Sequence, residues 1–471
     1  MKKLKVIYIC AAIVLNCTVN LTTAQVAYDL NKYYTPDIIR NQLDLNLTFN
    51  SRLDQNTQEY SVNNSLRDYS AYNHQGRLGA SLYNYIHTRK LLSTLGVTMT
   101  THNVFTGSQS DLLAGKDQPT FQYIHKSRSS TNSVEADWNN NRYLSSRLFI
   151  QYKVKGALSL NSSSTTELDD EASITKNETI RNSQRNGIIG PQAGVGYGRI
   201  ERVEDARQAL YIFEKLKKNG RLLRDPEQDE IFRFAQVISS VKNKRFLDSR
   251  LHWIDEMHTV DEFLAKNQLI DETDMVYFTT LNDMWMYGGL HERKAGYKIT
   301  LSYGGQYNYS RQASTKTIVL NPGAGYSTSD LASSLAHGVQ LSGEYEKPAG
   351  LNWQHSFHTL GHIQTVNGKF NSVLAQQQTN LHLQAGYKLG YYPTTRTYLN
   401  ASLTHHYRRI KEGASSTSNE TRVSGNIYYY LSPQVKIAGA FQVMRFWDNT
   451  YTGYLKSLTN QLNVSISYSI F

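Results

Sequence analysis

The chain alternates between apolar and polar residues in many short stretches, most regularly near its carboxyl end. In 461–470, apolar side chains fill every second position, and serine or asparagine fills most of the others. The same alternation runs through 423–431 and 435–443, and the connection 431–434 between them is long enough only for a tight turn. A period of two gives a strand one apolar and one polar face. The pattern therefore predicts three consecutive antiparallel strands with one dry and one wet face.

Comparable stretches predict strands along most of the remaining chain. Before an interruption they lie at 43–50, 60–69, 77–85, 95–105, 120–125, 133–139, 148–158 and 187–200. After it they lie at 285–290, 297–303, 317–326, 339–345, 353–365, 381–391 and 398–407. Residues 160–186 are rich in Ser, Thr, Asn and Glu without a period, so we expect a long mobile loop there. The glycines in GVGYGR at 194–199 lack nucleotide-loop spacing and predict strand bends or close backbone contacts.

The interruption, 201–281, has the period of an α-helix. Asp205 begins an amphipathic stretch that Gly220 closes, and Asp225-Pro226 is a typical helix start. A third helix is expected at about 245–257, and the capping box 259–262 predicts the start of a fourth. The sequence therefore predicts a small, water-soluble, all-helical domain inserted between two β-rich parts.

The amino terminus has the pattern of a secretory signal peptide. Three lysines in the first five residues precede an apolar run at 6–15 and small residues up to Ala24. We expect cleavage after Ala24, so 1–24 is excluded from the fold. Both cysteines, Cys10 and Cys17, lie in this leader, so the mature chain would have neither a disulfide nor a thiolate site.

Composition narrows the class of protein further. The formal net charge is +11, but the basic residues are scattered without a long Lys/Arg block, which does not indicate nucleic-acid binding. Mean hydropathy is −0.51, and the mature chain has no apolar stretch long enough for a membrane helix. Tyrosine outnumbers phenylalanine 33 to 15, as is typical of membrane interfaces and wet lumens.

With its leader, alternating strands, tyrosine content and terminal Phe471, the chain resembles porin-like outer-membrane β-barrel proteins of Gram-negative bacteria. The resemblance implies an all-β transmembrane antiparallel β-barrel of about 16 to 18 strands, within a range of roughly 14 to 20. The barrel would consist of 25–200 and 282–471, with the all-α domain 201–281 inserted. It also implies the cell outer membrane as location, with its lipid and the barrel assembly machinery as partners.

Counting back from the chain end predicts the orientation. If the last strand ends in the periplasm, the turns at Pro433, Pro393 and Pro348 are all periplasmic. The helical domain is then periplasmic if 285–290 is a strand and extracellular if it is not. We favour the periplasmic placement.

Five lysines occupy the polar positions of their predicted strands and would face the lumen of a channel. They are Lys153, Lys155, Lys298, Lys388 and Lys436. Rings of such cations would favour anions. The alternative is that they are rim residues whose side chains extend to the membrane interface.

Catalytic and metal-binding patterns are weak. His358 and His362 share a face, but four residues of strand span about 13 Å, so the two cannot hold one ion, and His355 points the other way. Ser402 and His405 also fall on opposite faces. We therefore expect no catalytic residue, cofactor or metal, and not an enzyme.

The function predicted from these patterns is a pore for small hydrophilic, anionic solutes. The helical insert would dock a periplasmic partner or gate the pore, and simple plugging of the lumen stays open. The alternatives are an outer-membrane anchor or outlet of an export or surface-assembly machine, and a hydrolase embedded in the barrel.

Overall fold

The computed structural model describes residues 29–468, apart from short gaps. The gaps are 61–64, 114–120, 172–173, 244–252, 271–272, 290, 319–324, 372, 375–376, 413, 433–434 and 451–452. The expected leader 1–24 and the terminal Phe471 lie outside the described residues.

Antiparallel strands dominate the described part of the chain. They are β1 Ile38–Tyr60, β2 Ser65–His87, β3 Leu91–Leu113, β4 Phe121–Tyr143, β5 Leu148–Glu171, β6 Ile174–Arg202, β7 Lys294–Ile318, β8 Tyr326–Ala349, β9 Trp353–Phe370, β10 Val373–Leu374, β11 Gln378–Thr394, β12 Thr397–Glu412, β13 Ala414–Tyr430, β14 Val435–Thr450 and β15 Gly453–Tyr468. Each long strand pairs with the next along the chain, and the two-residue β10 pairs only with β9. The described ladders thus form one path of fourteen long strands, at the low end of the expected range. The antiparallel fold class with an inserted helical domain is confirmed.

Several strands are much longer than the alternation predicted. The expected mobile loop 160–186 is wrong, because β5 and β6 stay paired there, with Leu160 opposite Arg185. Hydroxyl and amide side chains contact each other across the pair, as between Thr166 and Thr179 at 3.4 Å. Cross-strand contacts of this kind stabilise a ladder without an apolar face. Pairing therefore continues where the sequence no longer alternates.

The register gives the sheet one continuous apolar face. Leu45 lies opposite Ala80, and Leu47 lies opposite Leu78. The side chains of Leu45 and Leu47 are 70% and 81% exposed. Further exposed apolar residues on this face include Val195, Ile299, Leu301, Leu341, Ile363, Leu462 and Val464. An exposed apolar surface of this extent is rare on soluble monomers and fits contact with lipid.

Four helices lie between β6 and β7 in the described residues. They are α1 Glu204–Lys218, α2 Gln228–Asn243, α3 Trp253–Lys266 and α4 Met275–Tyr287. Their apolar stripes form one core that includes Phe213, Phe234 and Leu264, all buried. None of these helices is long and apolar enough to cross a membrane.

Two local predictions in this region are wrong. The expected strand 285–290 begins inside α4, where the Trp285 Nε1 donates a hydrogen bond to Glu256 at 3.1 Å. The expected capping box 259–262 lies in the middle of α3, where the Thr259 hydroxyl donates to the carbonyl of Asp255 four residues earlier. An apolar run of six residues does not distinguish a strand from a buried helix turn. The expected helix 245–257 falls largely outside the described residues.

The helical domain enters and leaves the sheet at one point. The Val203 amide donates to the Arg293 carbonyl at 2.8 Å, so the two ends of the insert are paired. Gly198 and Gly296, just inside the sheet, have φ of +103° and +116°, which favour glycine. Of the predicted strand bends or close backbone contacts at the glycine-rich segment, the close contact is confirmed at Gly198, where a Cβ atom would clash with the Tyr297 carbonyl oxygen.

Candidate functional site

Polar side chains line a cavity of about 540 Å³ on the face of the sheet opposite the apolar one. Lys153, Lys155 and Lys298 border this cavity, together with His358 and His362. The two histidines share this face, as their spacing predicted. His355 points away and contacts the Tyr387 hydroxyl at 2.8 Å through Nδ1.

Two of the three lysines in the first cavity have carboxylate partners. The Lys155 Nζ lies 3.4 Å from Asp137, and the Lys298 Nζ lies 3.2 Å from Glu344. Within the described chain, no carboxylate lies within ion-pair distance of Lys153. The local excess of positive charge is therefore smaller than a count of lysines suggests.

The other two lysines lie beside tyrosines near the edge of the sheet that carries the helical domain. The Lys388 Nζ is 5.9 Å from the centre of the Tyr398 ring, and the Lys436 Nζ is 5.4 Å from that of Tyr428. The two rings stack at 5.8 Å. Strand register places all five predicted lysines on the polar face. That this face is the wall of an open lumen stays a prediction.

A second cavity, of about 470 Å³, lies where the segment between α4 and β7 meets the polar face. Lys388, Ser402 and Thr404 of the sheet line it together with His291, which precedes β7. The His291 ring lies 4.8 Å from that of Tyr398 and 5.8 Å from that of Tyr430. The segment that leads out of the helical domain thus packs on side chains of the polar face.

Buried arginines hold this junction. Arg293 is 1% exposed and donates hydrogen bonds to the carbonyls of Gly350, Leu351 and Trp353 and to the Gln354 amide oxygen, in and beside the β8–β9 turn. Arg207 of α1 is 2% exposed, donates to the His291 carbonyl at 2.8 Å and lies 4.7 Å from the centre of the Tyr392 ring.

A third arginine joins the domain to another turn. The Arg396 guanidinium, at the β11–β12 turn, lies 2.6 Å from the Asp283 carboxylate of α4. The domain therefore contacts the edge of the sheet that carries the short turns between β8 and β9 and between β11 and β12.

The segment before β1 completes the cover. Leu30 and Tyr33 are buried in the helical core, where the Tyr33 ring lies 5.6 Å from that of Phe232. The Thr35 hydroxyl donates to the Arg202 carbonyl at 2.9 Å. Residues 30–32 also contact β7 and β8, while α2 contacts β1. The helical domain and this segment thus contact β1, β7 and β8 at the short-turn end of the sheet, with further contacts on β11 to β13.

The helical domain contacts the edge of the sheet whose short turns the sequence predicts to be periplasmic, and the side of the membrane stays a prediction. The segment 285–290 is not a strand. Most of the expected strand 317–326 falls on the undescribed residues 319–324, but β7, which ends at Ile318, pairs directly with β8, which begins at Tyr326. Eight long strands of the described path follow the helical domain, an even number, so the domain and the end of β15 lie at the same edge of the sheet.

Burial makes His291 sensitive to acid. Burial, followed by the charges of Arg207 and Lys436, lowers the pKa of His291 to about 4. Its Nε2 is buried without a hydrogen-bond partner in the described structure. The docked domain therefore holds a neutral imidazole at pH 7.

We expect acid to loosen the junction between pH 6.5 and 4. In the undocked domain, His291 would bind a proton near its ordinary pKa of about 6.5, whereas in the docked domain its pKa is lower. The free energy that favours docking therefore falls by up to about 3 kcal/mol as the pH falls through this window. Limited proteolysis of the helical domain from pH 7.5 to 4.5 measures the loss. His291→Phe should flatten the pH profile, and His258→Asn, on the exposed side of α3, should not. An unchanged profile in His291→Phe would rule out this histidine as the cause.

The sequence did not single out Arg207, His291 or Arg293. The one available signal was Arg207 itself, a charge between the apolar Ala206 and Ala209 of the predicted stripe. A hydrolase pairing of Ser402 with His405 finds no support in the geometry. Ser402 contacts Ser424 on the polar face, while His405 contacts Thr421 on the other face.

The fold and this polar face define the class of antiparallel sheets whose strands follow in chain order and present one apolar and one polar face, here with a helical domain over one end. No protein-family model matches the chain, and no curated protein matches it. The solved structure of the P. putida toluene transporter TodX is 10% identical, with 94% of this chain and 92% of that chain covered and a TM-score of 0.30. The transport unit of the autotransporter AIDA-I from Escherichia coli is 8% identical, with 98% and 97% covered and a TM-score of 0.17. Values this low assign the chain to no family.

Proposed function

We propose that the protein is an outer-membrane channel for small hydrophilic solutes whose short-turn end is closed by the helical domain. The observation that carries the proposal is the second cavity, because the segment leaving the helical domain and the polar face of the sheet line it together. A strand face with polar cavities is a path for hydrated solutes if the sheet closes on itself. A folded domain across its end controls access to that path.

The outer membrane is the location that the surface chemistry fits best. The apolar face consists entirely of strands, and exposed apolar side chains of this kind are stable in contact with lipid. In the membrane, strands can satisfy their backbone hydrogen bonds by pairing with each other. In bacterial barrels the short turns face the periplasm. The helical domain contacts this edge of the sheet, so we place it in the periplasm.

Anion preference is the finer part of the proposal. Lys153, Lys388 and Lys436 lie on the polar face without a carboxylate at ion-pair distance in the described part of the chain. Lys155 and Lys298 are partly neutralised by Asp137 and Glu344. We therefore propose a modest preference for anions.

Charge reversal of the three lysines tests the channel and its selectivity together. In planar bilayers under a KCl gradient, the intact protein should give a reversal potential of the anion-selective sign. The triple variant Lys153→Glu, Lys388→Glu and Lys436→Glu should invert that sign, because fixed charges in a pore set which ion enters. Lys369→Glu, on the opposite parity of β9, is the matched control and should leave it unchanged. Equal potentials for all three proteins would contradict the lysine assignment.

Docking of a periplasmic partner is a second candidate role for the insert. Ile254 of α3 and Met275 and Phe278 of α4 are 73%, 80% and 47% exposed on the helical domain. Large exposed apolar side chains are typical of contact surfaces. This role would suit the anchor or outlet of an export machine, and it is compatible with gating.

A further inference from the structure

Two histidines of the polar face point their ring nitrogens at each other. The Nε2 of His382 on β11 lies 3.4 Å from the Nδ1 of His406 on β12. The ring centres are 5.7 Å apart, and the ring planes differ by 12°. Both side chains belong to the same face as the first cavity, because His382 is in register with His362, which lines that cavity.

The separation fits two ligands of one metal ion better than a hydrogen bond. A good N–H donor lies about 2.7 to 3.2 Å from its acceptor. Zinc binds histidine nitrogen at about 2.0 to 2.1 Å, so two nitrogens of one tetrahedral shell lie roughly 3.4 Å apart. The observed distance of 3.4 Å between the two nitrogens equals this ligand-to-ligand distance. An ion between the nitrogens would satisfy both lone pairs.

Other charged and titratable groups surround the pair. In register, His382 lies opposite His362 of β9 and Arg408 of β12, and His406 lies opposite Glu420 of β13. Glu420 accepts a hydrogen bond from Arg422 at 2.7 Å. The described residues contain no ready-made group of three metal-binding side chains, so water would complete the shell. His362 and Glu420 are the nearest further donors in register, and Arg408 opposes a cation.

We propose that His382 and His406 form a binding site for a divalent transition-metal ion of the zinc, nickel or copper class on the polar face of the sheet. Imidazole is a preferred ligand of these ions. The site differs from the pair His358 and His362, which are four residues apart on one strand. It does not depend on whether the sheet encloses an open pore.

Calorimetric titration of Zn²⁺ into the refolded, tag-free mature protein in detergent tests the site. One ion should bind per chain, and His382→Ala or His406→Ala should each weaken binding by at least about tenfold, which corresponds to about 1.4 kcal/mol. His405→Ala is the matched control because its ring is next in sequence but on the opposite face, and it should bind as the intact protein does. Strand content by circular dichroism shows that each variant has folded, and Asn replaces Ala where it has not.

Substitutions of the charged neighbours add a second readout. Glu420→Gln should weaken Zn²⁺ binding, and Arg408→Gln should tighten it, because each changes the charge beside the ion without removing a histidine. Binding that survives in the double variant His382→Ala, His406→Ala would overturn the proposal. An equal loss in His405→Ala would show that the ion binds histidines without selecting this pair, and would overturn it as well.

Discussion

Removal of residues 204–292 is expected to turn a poorly conducting protein into a steadily conducting one. Val203 and Arg293 are already hydrogen-bonded across the base of the insert, so an Asn-Gly turn can join β6 to β7 without moving either strand. Excision removes the cover from the polar face and leaves the sheet intact. The current should rise more than about tenfold if the domain favours the closed state by about 1.4 kcal/mol or more. Single-channel recording in planar bilayers measures it.

The control for this excision is a second engineered turn at the other end of the same strand. Asn-Gly in place of 172–173 changes the β5–β6 hairpin and should leave the current as in the intact protein. Equal currents from the intact and excised proteins would show that the helical domain is not the gate. The absence of current from both the intact and the excised protein would count against any open pore.

Arg293→Met is expected to release the helical domain from the sheet. The substitution keeps much of the side-chain volume but leaves four acceptors around the β8–β9 turn without their donor, of which those of Leu351 and Gln354 are buried and the other two are partly buried. An unsatisfied buried acceptor costs about 1–3 kcal/mol, so the two buried acceptors and the smaller cost of the two partly buried ones should give a net loss of about 3 to 5 kcal/mol. If the protease cuts the helical domain only when it is undocked, the larger undocked population should make proteolysis faster by more than about a hundredfold.

Arg396→Met provides the matched comparison on the same edge. Its ion pair with Asp283 is 38% exposed on the arginine side, and exposed pairs contribute at most about 1 kcal/mol. Proteolysis in Arg396→Met should therefore rise only a fewfold. If the two variants are digested at the same rate, burial of Arg293 does not hold the domain.

The sheet could be predicted because its pattern is local. Alternation at 43–50 or 435–443 places one face in lipid, and the register of the pairs follows from adjacent strands. That the five lysines lie on the polar face could be predicted for the same reason. The outer halves of β5 and β6 could not be predicted, because their hydroxyl and amide side chains contact each other across the pair and need no alternation to stay paired.

The junction could not be predicted from local pattern. Arg293 finds its acceptors in a turn 57 to 61 residues away, and no spacing rule links the two places. His291 similarly depends on three tyrosines that belong to different strands. Such contacts exist only once the insert has folded against the completed edge of the sheet.

The burial of Leu30 and Tyr33 in the helical core sets an order of assembly. These two side chains precede β1, whereas the helices that enclose them follow β6, so the core combines segments more than 170 residues apart. Closing so long a loop is entropically unfavourable unless the intervening chain is already ordered. The helical core is therefore completed only after the first six strands have paired and brought Leu30 and Tyr33 close to the helices. Each helix can form earlier from its own local contacts.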